Sequence, residues 1–432
     1  MAMKSDNLAV EGGKPVITAW PKRRLFGQAE KKAVMRLFDR AIASGEAFGY
    51  NGPEEEAYCR EFAESLGGGF ADAVNSGTSA IYVALRALEI PAFSEVVCPP
   101  ITDPGGAMPV PLCNCIPVPA DAAPGSFNAG PDQIEARVTS RTRGIIVAHI
   151  AGIPVEMGPV MEIARARGIP VIEDCAQAHA ARYRGRCVGT FGTIGAFSTM
   201  SGKHHATGAQ GGVVFTKDQD LYWRIRRHSD RGKPFGLAGA PRKGTPNASR
   251  RTSGWGSHVE CGLNFNLNDL SACIGRVQLK RLPKIVAARR RTADMLAGAC
   301  RRELKAVRIV QGPPRSEPSC WFLFGQLDLD RLGVDKAGFV KALAAEGVPA
   351  GPSYLHIFSE HEWYRNRAVF PGTTYPWGCP LYKGDGDRDY PLPNIRQTDR
   401  YTFPIAWHER VSAGDVRKVL TALKKVEKAY LK

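Results

Sequence analysis

Residues 144–174 read GIIVAHIAGIPVEMGPVMEIARARGIPVIED, and this stretch decides the fold class. Gly144–His149 predicts a buried strand, because its side chains form a nearly continuous apolar run. Met161–Arg167 predicts a helix that ends at Gly168, and Val171–Ile172 predicts a second buried strand. A strand, a helix and a strand in this order predict a parallel β-α-β unit.

The same alternation of short apolar runs and helical patterns extends from about Ser76 to Phe215. Further strands are predicted at Glu95–Cys98, Gly195–Ser198 and Gly212–Phe215, and a helix is predicted at Ser79–Leu88. We therefore expect an α/β fold whose large domain has a mostly parallel mixed sheet covered by helices.

The pattern changes in the second half of the chain. Gly232–Gly256 is rich in Gly, Pro, Arg and Ser and predicts a long loop. One helix is predicted from Asn268 and a second, basic helix at Lys284–Leu304. A smaller C-terminal α/β domain follows, with a strand at Trp321–Leu329 and helices at Lys336–Glu346 and Ala413–Leu431. We place the large domain at residues 1–283 and the small domain at residues 284–432.

The composition is ordinary for a globular protein, with 432 residues of which 44% are hydrophobic and 23% charged. No apolar run approaches the roughly 18 residues of a membrane span, and no apolar segment of a secretory signal follows Met1. We therefore expect a cytoplasmic protein without a membrane partner. Cys113 and Cys115 form a C-x-C with no second pair nearby, so we expect reduced thiols and no metal site.

The formal net charge of +16 needs an explanation. Arg289–Arg291 is a basic run of the kind that contacts nucleic acid, but Lys and Arg are spread along the whole chain without a nucleic-acid-binding motif. We therefore expect no nucleic-acid partner. A generally basic surface and a surface that steers a phosphorylated or nucleotide-linked substrate are both compatible with this charge.

Two local patterns point to ligand binding, one ahead of a predicted helix and one at the end of a predicted strand. Asn75–Ser79 (NSGTS) precedes a helix, whose free N–H groups favour an anion, although an ordinary N-cap explains the same residues. Ile172–His179 (IEDCAQAH) follows a buried strand, at the edge where parallel sheets bind ligands. Asp174 could pair there with a cationic ring nitrogen and Gln177 could donate a hydrogen bond, or Asp174 could simply cap a helix.

Two further patterns lie later in the chain. Lys203 stands in a loop of small residues after a strand, where partial burial lowers the pKa of a lysine and frees its amine as a nucleophile. A generic surface lysine is the alternative, whereas a P-loop is excluded because Phe197 and His204 occupy its required Gly and Ser/Thr positions. Gly262–Leu270 (GLNFNLNDL) precedes a helix and by itself is compatible with a capping loop.

In this order, the four patterns resemble the DegT/StrS family of pyridoxal-phosphate (PLP)-dependent sugar aminotransferases. The Ser-Gly-Thr, Glu-Asp-x-Ala-Gln and Ser-x4-Lys elements are specific in combination, and the resemblance runs from Phe48–Pro53 to Phe403–Ala406. It implies the PLP-transferase fold type I, which is similar to that of aspartate aminotransferase. It also implies pyridoxal 5'-phosphate as the cofactor.

The resemblance implies a role for each matching residue. Lys203 would form a Schiff base with PLP and then carry protons as the catalytic residue. Asp174 would pair with the pyridinium nitrogen, and Gln177 would hydrogen-bond the phenolic oxygen. The phosphate cup would consist of Gly77, Thr78 and Ser198. Asn264 would reach the phosphate from a neighbouring subunit, which implies a homodimer with shared active sites.

Several positions depart from the family pattern. Asp103 follows Thr102 where an aromatic residue usually stacks on the PLP ring, so we expect Asp103 to bind substrate or reshape the pocket. Gly208–Gly212 replaces a Gly-Glu-Gly-Gly tail, Asn266 stands where arginine is frequent, and Arg231 begins a pair that is commonly His-Gly. These changes concern the substrate more than the cofactor.

The resemblance implies a ping-pong transfer of an amino group from glutamate or glutamine to a keto-sugar, possibly nucleotide-linked, or a keto-cyclitol. The opening Leu8–Pro15 is similar to that of the cyclitol-aminating branch. We expect His356, within the stretch Tyr354–His356, and the loop from Tyr364 to Tyr390 to shape the acceptor pocket.

Two alternatives remain within the resemblance. PLP-dependent sugar dehydratases of this family carry histidine in place of the lysine, whereas Lys203 is present here. A non-catalytic, regulatory homologue that binds PLP is the other alternative. The presence of Lys203, Asp174 and Gln177 argues against it, while Asp103 argues for it.

Overall fold

The computed structural model describes residues 7–237 and 258–432. Short apolar runs form the strands. They are β1 (Phe70–Val74), β2 (Glu95–Cys98), β3 (Ile116–Pro119), β4 (Thr142–Ala148), β5 (Val171–Asp174), β6 (Arg182–Tyr183), β7 (Arg186–Cys187), β8 (Ile194–Ser198), β9 (Gly212–Thr216), β10 (Val307–Ile309), β11 (Ser316–Glu317), β12 (Phe322–Leu327) and β13 (Thr402–Ala406).

Helices separate most of these strands. They are α1 (Gln28–Ser44), α2 (Pro53–Ser65), α3 (Gly77–Ala87), α4 (Pro109–Leu112), α5 (Pro131–Glu135), α6 (Met157–Ala166), α7 (Gln219–Ser229), α8 (Asp269–Glu303), α9 (Lys336–Ala345), α10 (Glu362–Arg365), α11 (Pro393–Tyr401) and α12 (Ala413–Tyr430). Side chains that accept a hydrogen bond from the first helical turn begin several of them, namely Ser76, Asp218, Asn268, Asp335 and Ser412.

The main sheet has the order β1-β9-β8-β5-β4-β2-β3 within the described residues. Only β9 runs against its neighbours, and the pairs among β8, β5, β4, β2 and β3 are parallel. Both faces of this sheet are covered, which is why its central strands are almost wholly apolar and buried. The predicted mostly parallel mixed sheet is confirmed.

The carboxyl ends of β1, β2, β4, β5 and β8 lie at one edge of this sheet because these strands run in the same direction. The loops that follow them carry four of the stretches named above: Asn75–Ser79, Thr102–Asp103, Asp174–His179 and Ser198–Lys203. Topology therefore gathers residues from Asn75 to Lys203, 128 positions apart in sequence, at one edge.

A second hydrophobic core surrounds the antiparallel sheet β10-β12-β13, with α9, α12 and the end of α8 packed on it. Leu8 and Ile17, from the start of the chain, are buried in the same core. Helix α8 passes without a break through residue 283, and Pro283 lies inside it. The division of the chain at residues 283 and 284 stays a prediction.

Most predicted elements lie where the patterns place them, but one prediction was wrong. The helix expected from Asn268 and the helix expected at Lys284–Leu304 form the single helix α8. A proline removes one backbone donor, and the burial of one face along both halves outweighs that loss. Of the predicted loop at Gly232–Gly256, residues 238–257 lie outside the described residues.

Across residues 7–237 and 258–432, no helix combines the length and the apolar character that crossing a membrane requires.

Candidate active site

Lys203 lies in the loop that follows β8, and its side chain is buried, with the residue only 7% exposed. Burial lowers the pKa of Lys203, and the carboxylates of Asp174 and Asp103 offset part of this effect. Its amine nitrogen lies 4.1 Å from the centroid of the Trp321 ring. The surface-lysine alternative is therefore wrong, and the amine is held between acidic and aromatic groups.

Asp174 is the last residue of β5 and is half-buried at the same edge. Its Oδ1 accepts a hydrogen bond of 2.9 Å from the N–H of Ala176, and its Oδ2 lies 3.5 Å from the hydroxyl of Thr102. Burial raises the pKa of Asp174, while the Ala176 hydrogen bond and the charge of Lys203 work in the opposite direction. Asp174 begins no helix, so the helix-cap interpretation of this residue was wrong.

Gln177 bridges two segments beside Asp174. Its Oε1 accepts from the N–H of Ala151 at 2.8 Å, and its Nε2 donates to the hydroxyl of Tyr354 at 2.6 Å. An amide nitrogen carries two hydrogens, so one N–H remains available for a ligand. Tyr354 belongs to the stretch expected to shape the pocket, but its bond to Gln177 was not predictable from spacing.

The N-terminus of α3 packs against the end of β8. Ser76 accepts a hydrogen bond of 3.0 Å from the N–H of Ser79, as an N-cap does. A Cβ atom on Gly77 would lie 2.7 Å from the Cβ of Ser198, so only glycine permits this approach. Thr78 is exposed beside it. The result is a cradle of backbone N–H groups and hydroxyls that suits an anion.

Asp103 and His356 lie at the rim of this site. The N–H of Thr102 donates to the carbonyl of His356 at 3.2 Å, and the His356 ring meets the ring of Tyr354 edge-on at 5.0 Å. Asp103 is exposed, and its Oδ1 accepts a hydrogen bond of 3.3 Å from the N–H of Gly105. Asp103 is close enough to Lys203 for its charge to affect the pKa of the amine, whereas His356 is joined to the site through Thr102 and Tyr354.

Asn264 is exposed on a loop, and its side-chain contacts among the described residues are with Asn266 and not with Lys203. Its Oδ1 accepts from the side-chain amide of Asn266 at 2.8 Å. The same loop is attached to the α3 cradle, since the N–H of Asn75 donates to the carbonyl of Phe265 at 2.8 Å. A contribution of Asn264 to the site of a second subunit stays a prediction.

Three buried histidines that the sequence analysis assigned to no role lie in the lysine loop or against it: His204 and His205 directly follow Lys203, and His179 contacts Ser198. The Nε2 of His179 lies 2.7 Å from the carbonyl oxygen of Ser198, and the Nε2 of His204 lies 3.0 Å from the carbonyl oxygen of Ser319. The Nε2 of His205 lies 2.8 Å from the hydroxyl of Tyr58. Burial lowers the pKa of all three, that of His179 to about 4. They are uncharged at neutral pH and fix the loop without competing with Lys203 for Asp174.

Residues 29–377 match the sequence model of the DegT/DnrJ/EryC1/StrS aminotransferase family, and this range contains Asp174, Lys203 and Trp321. The chain belongs to this family. It is a PLP-dependent aminotransferase with the fold of PLP aminotransferases, so the predictions of family, fold class, enzyme class and cofactor are confirmed.

Individual relatives agree with this assignment. The aminotransferase is 34% identical to L-glutamine:2-deoxy-scyllo-inosose aminotransferase of Streptomyces lividus over 85% of this chain and 84% of that protein. It is 31% identical to 3-amino-5-hydroxybenzoate synthase of Amycolatopsis mediterranei over 64% of this chain and 65% of that protein, just under two thirds of its length. An aminotransferase structure from Psychrobacter cryohalolentis superposes with a TM-score of 0.80 at 27% identity, over 95% of this chain and 99% of that one.

The residues at the sheet edge fit PLP. The cradle at the N-terminus of α3, which Gly77 allows to approach Ser198 closely, suits the phosphate, and the spare N–H of Gln177 suits the phenolic oxygen. Asp174 offers a carboxylate to the ring nitrogen, and Lys203 offers a buried amine to the aldehyde. When bound, PLP supplies an electron sink for the carbon that loses its proton.

Proposed function

We propose that this aminotransferase moves an amino group from glutamate or glutamine to a keto-cyclitol or keto-sugar, with Lys203 as the catalytic residue. One observation carries the proposal. The buried amine of Lys203 lies next to Asp174 at the carboxyl edge of the sheet, where burial lowers the pKa of that amine. A lowered pKa makes the neutral form of the amine, which attacks a carbonyl and accepts a proton, easier to reach.

Each residue of the site has its own proposed role, which follows from its position. Lys203 would accept the proton that leaves the Cα of the donor and deliver it again during the transfer, and its burial keeps the amine within the site. Asp174 would hold a proton on the ring nitrogen of the cofactor, and Gln177 would orient the ring through its spare N–H. The cradle of Gly77, Thr78 and Ser198 holds the phosphate.

We further propose a homodimer in which Asn264 of each subunit completes the phosphate site of the other. The exposure of Asn264 and the attachment of its loop to Asn75 support this arrangement, because the loop leaves the cradle toward solvent. The cytoplasmic location stays a prediction. The family assignment favours amino transfer over the dehydratase and regulatory alternatives, and the buried Lys203 supports the same choice.

A cyclitol is the favoured acceptor class. The relative from Streptomyces lividus is named for glutamine as donor and for a deoxy-inosose as acceptor, and the two chains match over most of their lengths. The exposed carboxylate of Asp103 supports a hydroxyl-rich acceptor, since a carboxylate accepts hydrogen bonds from hydroxyl groups. We place His356 beside it as a second acceptor contact.

The test is a donor titration followed by absorbance. Glutamine or glutamate is expected to convert the absorbance of the bound cofactor from about 420 nm to about 330 nm, and a keto-cyclitol such as 2-deoxy-scyllo-inosose is expected to restore it. Conversion by a donor without recovery by any keto-cyclitol or keto-sugar would contradict the proposed acceptor class. No conversion by either donor would contradict the proposed donors.

Asp103→Asn is expected to raise the KM for the acceptor about tenfold or more, because a hydrogen bond to a charged group is lost. The rate of the donor half-reaction is expected to stay within about twofold of the original value. Steady-state kinetics with varied acceptor and stopped-flow absorbance with donor measure the two effects. Asp330→Asn, at an exposed acid of the C-terminal part, is the matched control. An unchanged acceptor KM in Asp103→Asn would remove Asp103 from the acceptor site.

A further inference from the structure

The segment Ser319–Trp321 crosses the active site from the C-terminal part of the chain. The N–H of Ser319 donates to the carbonyl of Gly152, and the N–H of Trp321 donates to the carbonyl of Ala151, each at 2.9 Å. The Ser319 carbonyl accepts from His204 at 3.0 Å, directly after Lys203. The segment is therefore attached both to the loop that follows β4 and to the lysine loop.

The close approach of this segment depends on Gly152, which has a φ of +81°. A Cβ atom at this position would lie 2.5 Å from the hydroxyl oxygen of Ser319 and 3.0 Å from the backbone nitrogen of Cys320. Only glycine combines this backbone conformation with this contact distance. The segment is consequently packed directly on the backbone that carries the Gln177 contact at Ala151.

A series of charged side chains connects the backbone carbonyl of Trp321 to the backbone carbonyl of Lys203. Arg289 is buried and donates to the carbonyl of Trp321 at 3.0 Å, and its guanidinium pairs with Glu409 at 2.8 Å. Glu409 also pairs with Arg23 at 3.1 Å, and Arg23 donates to the carbonyl of Lys203. Residues from the beginning, middle and end of the chain thus fix the lysine and the tryptophan relative to each other.

The tryptophan side chain has a fixed orientation as well. Its Nε1 donates to the carbonyl of Gly202 at 2.9 Å, and its ring meets the ring of Tyr354 edge-on at 6.4 Å. With both contacts made, the face of the indole is directed at the amine of Lys203, 4.1 Å from the ring centroid. This separation is well inside the roughly 6 Å within which an ammonium group is attracted to an aromatic face.

We propose that Trp321 is a positioning residue whose indole face holds the ammonium group of Lys203 whenever the lysine is not bonded to the cofactor. This inference rests on the proposed role of Lys203. During amino transfer the lysine is released while the cofactor carries the amino group, and a free ammonium in a buried site needs a partner. The indole face supplies such a partner in direct contact with the amine, in addition to the charges of Asp174 and Asp103.

The consequence is a shift in an equilibrium. If the indole face stabilises the released lysine, it favours the form in which the cofactor holds the amino group over the form in which Lys203 is bonded to the cofactor. Trp321→Leu keeps an apolar side chain but removes the aromatic face. We expect this variant to need about a tenfold higher ratio of amino donor to its keto acid for half conversion.

The experiment is an absorbance titration of the PLP-loaded enzyme at about 420 and 330 nm against fixed ratios of glutamate to 2-oxoglutarate, or of glutamine to its keto acid. It measures an equilibrium, which a slower but otherwise intact enzyme does not change. Trp321→Phe retains an aromatic face but loses the bond to Gly202, and we expect it to stay within about threefold of the original enzyme. Trp223→Leu, at a half-buried tryptophan on α7, is the matched control.

Thermal melting of each variant shows that it is folded before the titration is interpreted. An unchanged midpoint ratio in Trp321→Leu would overturn the proposal, as would equal shifts in the Leu and Phe variants, because the aromatic face would then not be the cause. If Trp321→Leu does not fold, the proposal rests on Trp321→Phe and Trp321→Tyr, and a shift of tenfold or more in either overturns it. If neither donor converts the original enzyme, the proposed function fails instead.

Discussion

Lys203→Ala is expected to lower the rate of amino transfer about a thousandfold or more and to abolish the absorbance of the bound cofactor near about 420 nm. The amine is both the nucleophile toward the cofactor and the base that moves the proton, so one substitution removes two functions. Because Lys203 is buried, we expect no lysine from the protein surface to replace its amine in the variant. Steady-state rates and an absorbance spectrum of the PLP-loaded variant measure the two effects.

Two comparisons make this result interpretable. Lys203→Arg retains the positive charge over Trp321 but carries no amine that loses its proton, so we expect it to be as inactive as the alanine variant. Lys217→Ala, at an exposed lysine after β9, is expected to behave as the original enzyme. Activity of Lys203→Ala above about a tenth of the original rate would show that another residue is the base.

Asp174→Asn is expected to lower kcat/KM about a hundredfold to a thousandfold, the range found when one preorganised electrostatic group is removed from an active site. Asparagine keeps an oxygen for the N–H of Ala176 but has no charge to hold a proton on the ring nitrogen of the cofactor. The electron sink is therefore weakened while the local structure is preserved. Kinetics with saturating PLP measure the loss, and gel filtration followed by absorbance measures retention of the cofactor.

Glu162→Gln, at an exposed carboxylate on α6, is the control for a general change of charge. If Asp174→Asn retained full kcat/KM, the assignment of Asp174 to the ring nitrogen would be wrong. If instead the variant lost only its affinity for PLP and recovered its rate at high PLP, Asp174 would be a binding residue without an electronic role.

Local patterns were sufficient to predict that Asp174 and Lys203 lie at one edge of the main sheet, while their catalytic roles stay predictions. Asp174 and Lys203 each follow a short apolar run, and such runs become buried strands whose ends bind ligands in parallel sheets. Gly77 was likewise predictable, since a glycine between hydroxyl residues ahead of a helix indicates a tight N-terminus. These are properties of a few consecutive residues.

The single helix α8 shows the limit of local patterns. Pro283 and the basic stretch after it indicate a break, but Leu279, Leu282, Ile285 and Val286 are all buried on both sides of the proline. Burial along a helix face is a tertiary effect that outweighs the loss of one hydrogen bond. The boundary between the predicted helices therefore could not be judged from propensity.

The amino-acid sequence by itself determined the α/β class and the positions of Asp174 and Lys203 at the ends of predicted strands. Only the tertiary structure decided what surrounds the amine. Trp321 lies more than a hundred positions after Lys203, and Glu409, near the end of the chain, pairs with Arg289 from its second half and with Arg23 from its beginning. Neither periodicity nor spacing encodes such contacts, because they exist only when separate cores pack against each other and bury the charges between them.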